Sequence, residues 1–272
     1  MPVRLPDPVP RFAARAARLR QLADGHAARD WLLFLALISE AQSAAAREVT
    51  VPPAPAEPDG PPIRYDRVPR DGTWRAMLSV ILGAVADREL PEEAAQTVAQ
   101  LRVAGASQLE GLADLQLESS LSPEELGTAP FVGAALQTWF AVLASRLDPA
   151  TLFPQGSACP ACGAPPVAGL VDASTRRRYL SCSLCGVDWH LPRLCASCGD
   201  DSELEDFRVD GDAGARAEAC GACRGYVKLF DLAKRPGAEP AADDAATLAL
   251  DVLVSKAGFE RIGSSHWIAM VG

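Results

Sequence analysis

Four Cys-x-x-Cys segments decide the fold: CPACG (159–163), CSLCG (182–186), CASCG (195–199) and CGACRG (220–225). They hold all eight cysteines of the chain. A Cys-x-x-Cys turn places two thiolates on one side of a tight loop, and two such loops form a tetrahedral sulfur cage for zinc or iron. The N-terminal residues, MPVRLPDPVPRF, lack the apolar run of a secretory signal, so disulfides are not expected. The stretch therefore predicts metal sites.

The spacing of the pairs predicts how they combine. Nineteen residues separate the first pair from the second and 21 separate the third from the fourth, whereas nine separate the second from the third. The long gaps fit a zinc-ribbon spacing, and the short gap is typical of a linker. A cross-braced arrangement, in which the first pair joins the third, is the alternative. The predicted sites are Cys159, Cys162, Cys182 and Cys185 at one, and Cys195, Cys198, Cys220 and Cys223 at the other.

Glycine follows the second cysteine in three of the pairs, at Gly163, Gly186 and Gly199. Glycine adopts the positive φ that such a turn needs, so backbone N–H groups can point at the sulfurs. In the fourth pair the glycine is one position later, at Gly225, which predicts a slightly different geometry there. Four thiolates fill a tetrahedral metal and leave no position open for a substrate. This argues against hydrolysis at the metal and leaves structural and redox roles open.

The flanking sequence predicts an α+β, multidomain protein. A mainly α N-terminal domain is expected over residues 1–155, with a proline-rich link at 51–69. Small β-rich metal modules of the zinc-ribbon type are expected in tandem at 156–192 and 193–235. A C-terminal helix and tail are expected over 236–272.

Periodic apolar residues and start signals predict the individual helices. Capping boxes are predicted at Ser107–Glu110 and at Ser122–Glu125. The expected helical segments are 11–24, 28–47, 73–86, a segment that starts at Pro91, 131–147 and 242–257.

Charge and hydropathy bear on function. The formal net charge is −9, which argues against a general nucleic-acid binder and against a surface that seeks anionic lipid. We identify no apolar run of membrane-spanning length, the longest candidate being Trp31–Ile38, so no membrane insertion is expected. The expected location is the cytoplasm. Oligomeric state is left open.

Several other residues have two interpretations each. Arg176, Arg177 and Arg178 form the most basic run, and they are either a solvated hairpin strand or a contact for a partner or anionic group. Asp243 and Asp244 either complement a helix N-terminus or form an acid–base pair. Trp189 and Tyr226 are expected to cover the metal sites, and His190 is not expected to be a ligand. We find no GxGxxG, P-loop or GxSxG motif.

Together these features resemble the formate dehydrogenase accessory protein FdhE family. The resemblance is carried by CPACGAPPV (159–167), RRYLSCSLCGVDWH (177–190), the linker RLCASC (193–198), RAEACGACRGYVKLF (216–230) and ADDAATLALDVL (242–253). Two N-terminal segments add to it, PPIRYDRVPRDGTWRAML (61–78) and APFVGAALQTWFAVLA (129–144). The resemblance does not include the residues from Gly263 onward.

The resemblance implies a cytoplasmic factor, not an enzyme, that respiratory formate dehydrogenases need for activity. Such a factor binds the selenocysteine- or cysteine-containing catalytic subunit before its twin-arginine-dependent export. The resemblance also implies rubredoxin-like modules that hold two metal ions, with iron favoured and zinc possible, and with all eight cysteines as ligands. A rubredoxin-like electron carrier is the alternative, and a zinc-ribbon nucleic-acid binder is a third, weaker hypothesis.

Overall fold

The structure is a computed structural model that describes residues 3–53, 60–154 and 156–263. Pro55 and Pro58 of the predicted link, and the tail from residue 264, lie outside these ranges. The helices in the described ranges are α1 (Pro8–Ala23), α2 (Arg29–Glu48), α3 (Thr73–Ala86), α4 (Glu92–Val103), α5 (Ala106–Leu117), α6 (Ala129–Ala144), α7 (Pro240–Ala245) and α8 (Leu248–Lys256). Short 3₁₀ turns cover Leu126–Thr128 and Pro149–Thr151.

Helix α6 is the centre of the helical half. It packs against α2, α3 and α5, and every residue in it except Pro130 is buried. Its many alanines allow close approach of the neighbouring helices, while Trp139 and Phe140 fill the core and meet edge to face at 5.0 Å. The segment Leu126–Ala144 is long and apolar enough to cross a membrane, which corrects the prediction that no such segment exists. Because 78% of it is buried inside the protein, its apolar character is explained by its place in the core.

The strands form one sheet, and all of them except β1 follow the helical half in sequence. In the described residues they are β1 (Val3–Arg4), β2 (Pro166–Val171), β3 (Arg178–Cys182), β4 (Asp188–His190), β5 (Leu204–Phe207), β6 (Ala215–Cys220), β7 (Gly225–Asp231) and β8 (Glu260–Arg261). The order across the sheet is β1-β4-β3-β2-β7-β6-β5, with β8 paired to β7. The first strand therefore brings the N-terminus of the chain to the sheet of the cysteine-rich region. The fold is the expected combination of a helical N-terminal part and a strand-rich region with two four-cysteine groups.

The repeat in the cysteine spacing appears as two antiparallel meanders. Strands β2, β3 and β4 form the first meander, and β5, β6 and β7 form the second. Cys182 ends β3 and Cys220 ends β6, so each second cysteine pair lies in the hairpin that closes its meander. The meanders join through parallel pairing of β2 with β7, where Gly169 lies opposite Leu229. The two modules thus share one sheet.

Helix α7 joins the sheet to the helical half through buried charges. On one side, Arg15 of α1 pairs with Glu239 at 3.0 Å, and Arg18 holds both oxygens of Asp243 at 2.9 and 2.7 Å. On the other side, Asp244 lies 2.8 Å from the Lys228 ammonium of β7 and 2.6 Å from the Arg261 guanidinium of β8. Breaking one partner of a buried pair is costly, so these contacts fix the position of the sheet against α1.

Three local predictions about the helices need correction. Ser107 does not cap α5, which begins one residue earlier, and the Glu110 carboxylate instead accepts a hydrogen bond from the Trp74 indole of α3. Glu125 does accept the Ser122 N–H at 2.9 Å, but a 3₁₀ turn follows before α6 begins. The single predicted C-terminal helix is two helices, because the backbone leaves the helical conformation at Thr247, where φ is −116° and ψ is 37°.

Candidate metal centres

The first centre brings together Cys159, Cys162, Cys182 and Cys185, whose sulfurs all lie within 4.8 Å of one another. The first and second pairs therefore meet, as consecutive pairing predicts and cross-bracing does not. The sulfurs of Cys159 and Cys185 are 3.5 Å apart, and those of Cys162 and Cys182 are 3.4 Å apart. These distances are far longer than the roughly 2.05 Å of a disulfide bond. All four side chains are buried.

The helical half encloses this first centre. The proline-rich link lies along the first cysteine turn, where the Ile63 and Tyr65 N–H groups donate to the carbonyls of Ala161 and Cys162 at 3.0 and 2.9 Å. These bonds make the link part of the wall of the site. Sequence reasoning treated the link only as a connector.

Two side chains of the helical half reach the second cysteine turn. The Gln137 amide of α6 donates to the Ser183 carbonyl at 2.6 Å. Arg11 of α1 donates to the Ser181 hydroxyl at 2.9 Å and lies against Gly186, where an added Cβ would be 3.0 Å from its Nε. Neither residue was predicted from the sequence to lie at the site, because no spacing or motif connects them to the cysteines of this turn, which lie about 45 or more positions away.

The second centre brings together Cys195, Cys198, Cys220 and Cys223 within the same 4.8 Å limit. The sulfurs of Cys195 and Cys223 are 3.5 Å apart, and those of Cys198 and Cys220 are 3.7 Å apart. Cys195 and Cys220 are buried, whereas Cys198 and Cys223 are exposed. The two centres have the same local design and different access to solvent.

The turn after each second cysteine has the same left-handed backbone in all four pairs. Gly163, Gly186 and Gly199 have φ values of +80°, +72° and +80°, and Arg224 holds the equivalent position with φ +61°. The predicted difference in geometry at the fourth pair is therefore wrong at this position. Close packing explains why the next residue, Gly225, is a glycine. A Cβ there would lie 2.9 Å from Ile262 and 3.3 Å from the Cys223 sulfur.

Contacts from the C-terminal end of α8 and the turn after it hold Arg224 in this unfavourable conformation. Its guanidinium donates to the carbonyls of Gly258 and Ala257 at 3.1 and 2.6 Å. It also lies over the Phe259 ring, 3.8 Å from the ring centroid.

Both sulfur sets fit a tetrahedral metal ion. A metal–sulfur bond of about 2.3 Å gives sulfur–sulfur edges of about 3.8 Å in a regular tetrahedron. The closest edges of 3.4 to 3.7 Å come near this value. Backbone N–H groups of Cys185 and Leu184 point at the Cys182 sulfur, and that of Gly225 points at the Cys223 sulfur, each at 3.4 Å. Such hydrogen bonds stabilise negative charge on thiolate ligands.

In each group the pKa values of neighbouring thiols shift in opposite directions. Burial raises the pKa of Cys162 and Cys185 well above the usual range, and burial raises the pKa of Cys195 to about 12. Burial also opposes ionisation of Cys182, but hydrogen bonds from the other three thiols outweigh it and hold its pKa well below the usual range. The Gly225 N–H and neighbouring thiols likewise lower the pKa of Cys223 to about 7 against the effect of burial. Because thiolates are the metal ligands, binding of a divalent cation releases protons from such groups.

The other predicted residues have structural partners. Asp243 accepts the Glu239 N–H at 2.8 Å, which agrees with a helix N-terminal role, while Asp244 pairs with Lys228 and Arg261. Trp189 is buried and its indole donates to the Gly156 carbonyl at 3.2 Å. The Tyr226 hydroxyl donates to Asp251 at 2.8 Å.

The arginine run is not a simple solvated strand. Arg176 is paired through both terminal nitrogens with Asp231, at 2.7 Å for each contact. Arg178 is 6% exposed and pairs with Glu218 at 2.7 Å, whereas Arg177 is exposed.

Comparison with known proteins gives consistent matches along the chain. Models for the FdhE N-terminal, central and C-terminal domains match residues 1–157, 158–193 and 194–268. The last match extends beyond Gly263, where no resemblance is expected from the motifs. The FdhE homologue of Cronobacter sakazakii is 33% identical over 92% of this chain and 85% of its own length, and that of Haemophilus influenzae is 33% identical over 94% and 88%. The crystal structure of the FdhE protein from Pseudomonas aeruginosa superposes with a TM-score of 0.88 at 33% identity, covering 100% of both chains.

Proposed function

The chain belongs to the FdhE family of formate dehydrogenase accessory proteins, and on that premise we propose that it is a maturation chaperone for such an enzyme. It binds the catalytic subunit in the cytoplasm before export and catalyses no reaction of its own. The observation that carries this proposal is the full-length match to the family together with two complete four-cysteine groups. Four sulfurs saturate a tetrahedral ion, so neither centre has a coordination position for a substrate.

The proposal includes two bound metal ions, with the eight cysteines as their ligands and with iron favoured over zinc. Iron in such a site supplies one-electron chemistry, which zinc cannot perform. Elemental analysis and a visible spectrum of anaerobically purified protein test this part. Two irons per chain with thiolate-to-iron absorption support it, and two zincs in protein expressed with ample iron contradict the preference for iron.

Genetic complementation tests the accessory role. A bacterium that lacks its own FdhE protein receives this chain, and formate-dependent dye reduction is measured in its extracts. We expect the activity to return with this chain and to be absent with an empty vector. If soluble, metal-loaded chain restores no activity with its own species' formate dehydrogenase co-expressed, the accessory role is contradicted.

Affinity capture tests client binding separately. Tagged chain is mixed with the catalytic subunit that retains its export signal, and in parallel with the mature subunit without it. We expect capture of the precursor under anaerobic conditions and weaker capture of the mature form. Failure of the chain to capture either form contradicts the client assignment.

A second candidate function is electron transfer, which the exposed cysteines of the second centre favour. Cys198 and Cys223 bring the edge of that centre to solvent, where a redox partner could approach. This candidate requires iron that is reduced and reoxidised reversibly. Loss of colour on reduction and its return in air support it, and zinc at the second centre rules it out.

A further inference from the structure

A basic cleft of about 400 Å³ lies between the two meanders, and none of the eight cysteines lines it. It is lined by the arginine run of β3 and its preceding turn, by His190 of β4, and by Arg216 and Glu218 of β6. Arg193, in the linker between the modules, also lines it. The cleft thus collects side chains from both modules, and the proposed accessory function does not use it.

Charged side chains from both modules meet across this cleft. Arg178 of β3 contacts Glu218 of β6 at 2.7 Å, although β2 and β7 lie between these strands in the sheet. Strands three positions apart are about 14 Å apart, given a spacing of roughly 4.8 Å per strand, so the two side chains reach across the intervening strands. The two modules therefore place charged groups around a common space.

The charges around the cleft do not balance. Its five arginines are Arg176, Arg177, Arg178, Arg193 and Arg216. Three carboxylates face them: Asp231 pairs with Arg176, Glu218 with Arg178, and Asp206 is shared between Arg216 at 3.3 Å and Arg193 at 3.5 Å. Within the part of the chain that the structure describes, no carboxylate lies within 4.0 Å of the Arg177 guanidinium. Two positive charges remain uncompensated.

Arg178 also has unused hydrogen-bonding capacity at a buried position. Its terminal nitrogens donate to the Pro192 carbonyl at 2.9 Å and to Glu218, but its buried Nε has no hydrogen-bond partner. A buried donor without a partner is unfavourable, so an acceptor from a bound group would stabilise it. The Glu218 Oε2 atom is likewise without a hydrogen bond and lies 4.0 Å from the Arg193 Nε atom. Burial lowers the pKa of nearby His190, and the positive charges of Arg177 and Arg178 lower it further.

We propose that this cleft binds the phosphate or diphosphate group of a phosphorylated small molecule. Planar guanidinium forks match phosphate oxygens and hold them with paired hydrogen bonds. The surplus of two positive charges matches a phosphate dianion better than a single carboxylate. The volume of about 400 Å³ is in the range of small-molecule sites.

Titration of the full, metal-loaded chain tests the proposal. Pyrophosphate, inorganic phosphate, ADP and succinate are each titrated and followed by calorimetry at low salt. We expect pyrophosphate to bind with a dissociation constant below about 1 mM, more tightly than succinate, and to weaken as salt is added. Tighter binding of ADP than of pyrophosphate would point to a nucleotide as the source of the group. Equal binding of succinate and pyrophosphate, or no binding of either, overturns the proposal.

Variants locate the site. Arg177→Ala and Arg193→Ala remove exposed side chains, so the fold should be kept, and each is expected to weaken pyrophosphate binding about tenfold. Arg208→Ala is the matched control, because Arg208 also pairs with Asp206 but does not line the cleft. Unchanged binding in Arg177→Ala and Arg193→Ala, with unchanged melting temperatures, places any binding elsewhere and overturns the assignment.

Discussion

The two four-cysteine centres share a ligand pattern but differ in their surroundings. The first lies beneath the helical half, where the proline-rich link, α1 and α6 all contact its cysteine turns. The second lies on the outer meander, with Cys198 and Cys223 exposed and with α8 as its helical neighbour. Two centres with the same four-cysteine ligand set can therefore differ in burial: the first is part of the core, and the second is accessible to solvent. The first centre is suited to holding the fold together, and the second to contact with solvent or a partner.

The largest expected effect comes from removing one ligand of each centre. Structural metal sites supply on the order of 10–16 kcal/mol toward folding for zinc at pH 7, which exceeds or equals the stability of most domains. We expect Cys162→Ser to unfold the helical half as well, because that centre is continuous with its core. Cys198→Ser should release the second metal and leave the helical half folded. Elemental analysis with thermal unfolding by circular dichroism measures both effects.

Ser197→Ala controls for perturbation of a cysteine turn without loss of a ligand. It should keep two metals per chain and the wild-type melting temperature. Equal loss of helical signal in Cys162→Ser and Cys198→Ser would show that both centres support the helical half to the same extent. That result would contradict the difference described between the two centres.

The next largest effect is expected at the buried ammonium of Lys228. This side chain is fully buried and lies 2.8 Å from Asp244 and 2.6 Å from Asp251. Removing one partner of a buried ion pair costs about 3–5 kcal/mol, so Lys228→Met should lower the free energy of unfolding by that amount. Urea unfolding at pH 7 measures the change. Because Lys228 lies on β7 of the second meander, the second metal should be lost before the first.

The pH dependence of this network has a definite sign. Burial acts to raise the pKa of Asp244, but Arg261 and Lys228 outweigh it and hold that pKa below its usual value. The stabilisation from Asp244 is therefore complete above its unfolded pKa of about 3.9 and is lost as the pH falls through the lower, folded value. In Lys228→Met the loss should begin at a higher pH. Identical acid unfolding of wild type and variant would contradict this role.

Much of the local design of the centres could be predicted from sequence, but their environments could not. The cysteine spacing predicted the consecutive pairing, and apolar periodicity predicted the helix at Thr73–Ala86. The unequal burial depends on contacts such as Arg11 with Ser181 and Gln137 with Ser183, which join residues 170 and 46 positions apart. No local pattern encodes such contacts. The prediction of one C-terminal helix was wrong for a different reason, since the apolar pattern continues across Thr247, where the backbone leaves the helical conformation.

The rates at which the two centres lose metal should also differ. Opening of a peripheral segment costs less free energy than opening of a core, and each 1.4 kcal/mol corresponds to roughly tenfold in rate. We expect a chelator to remove one metal per chain more than about tenfold faster than the other. Alkylation with iodoacetamide followed by mass spectrometry should label Cys198 and Cys223 in the fast phase. Release of both metals in a single phase would contradict the predicted difference.

The smallest effect is expected at the turn of the fourth cysteine pair. A non-glycine residue in the left-handed region costs about 1–2 kcal/mol, which Arg224 offsets through its bonds to Gly258 and Ala257 and its contact with Phe259. Arg224→Ala loses those contacts and keeps the strain, whereas Arg224→Gly loses the contacts and relieves it. The glycine variant should therefore be more stable than the alanine variant by about 1 kcal/mol. Urea unfolding followed through loss of the second metal measures the difference.

Gly199→Ala tests the same turn in the third pair, where φ is +80° and open space surrounds the position of a Cβ. Because the added methyl group would meet no neighbouring atom, this variant should show the strain alone, a destabilisation of about 1 kcal/mol. If Arg224→Gly and Arg224→Ala are equally stable while Gly199→Ala is destabilised, position 224 carries no backbone strain for the bonds to Gly258 and Ala257 to offset. If all three follow the expected order, the exposed centre depends on the end of α8 for a turn conformation that glycine provides in the other three pairs.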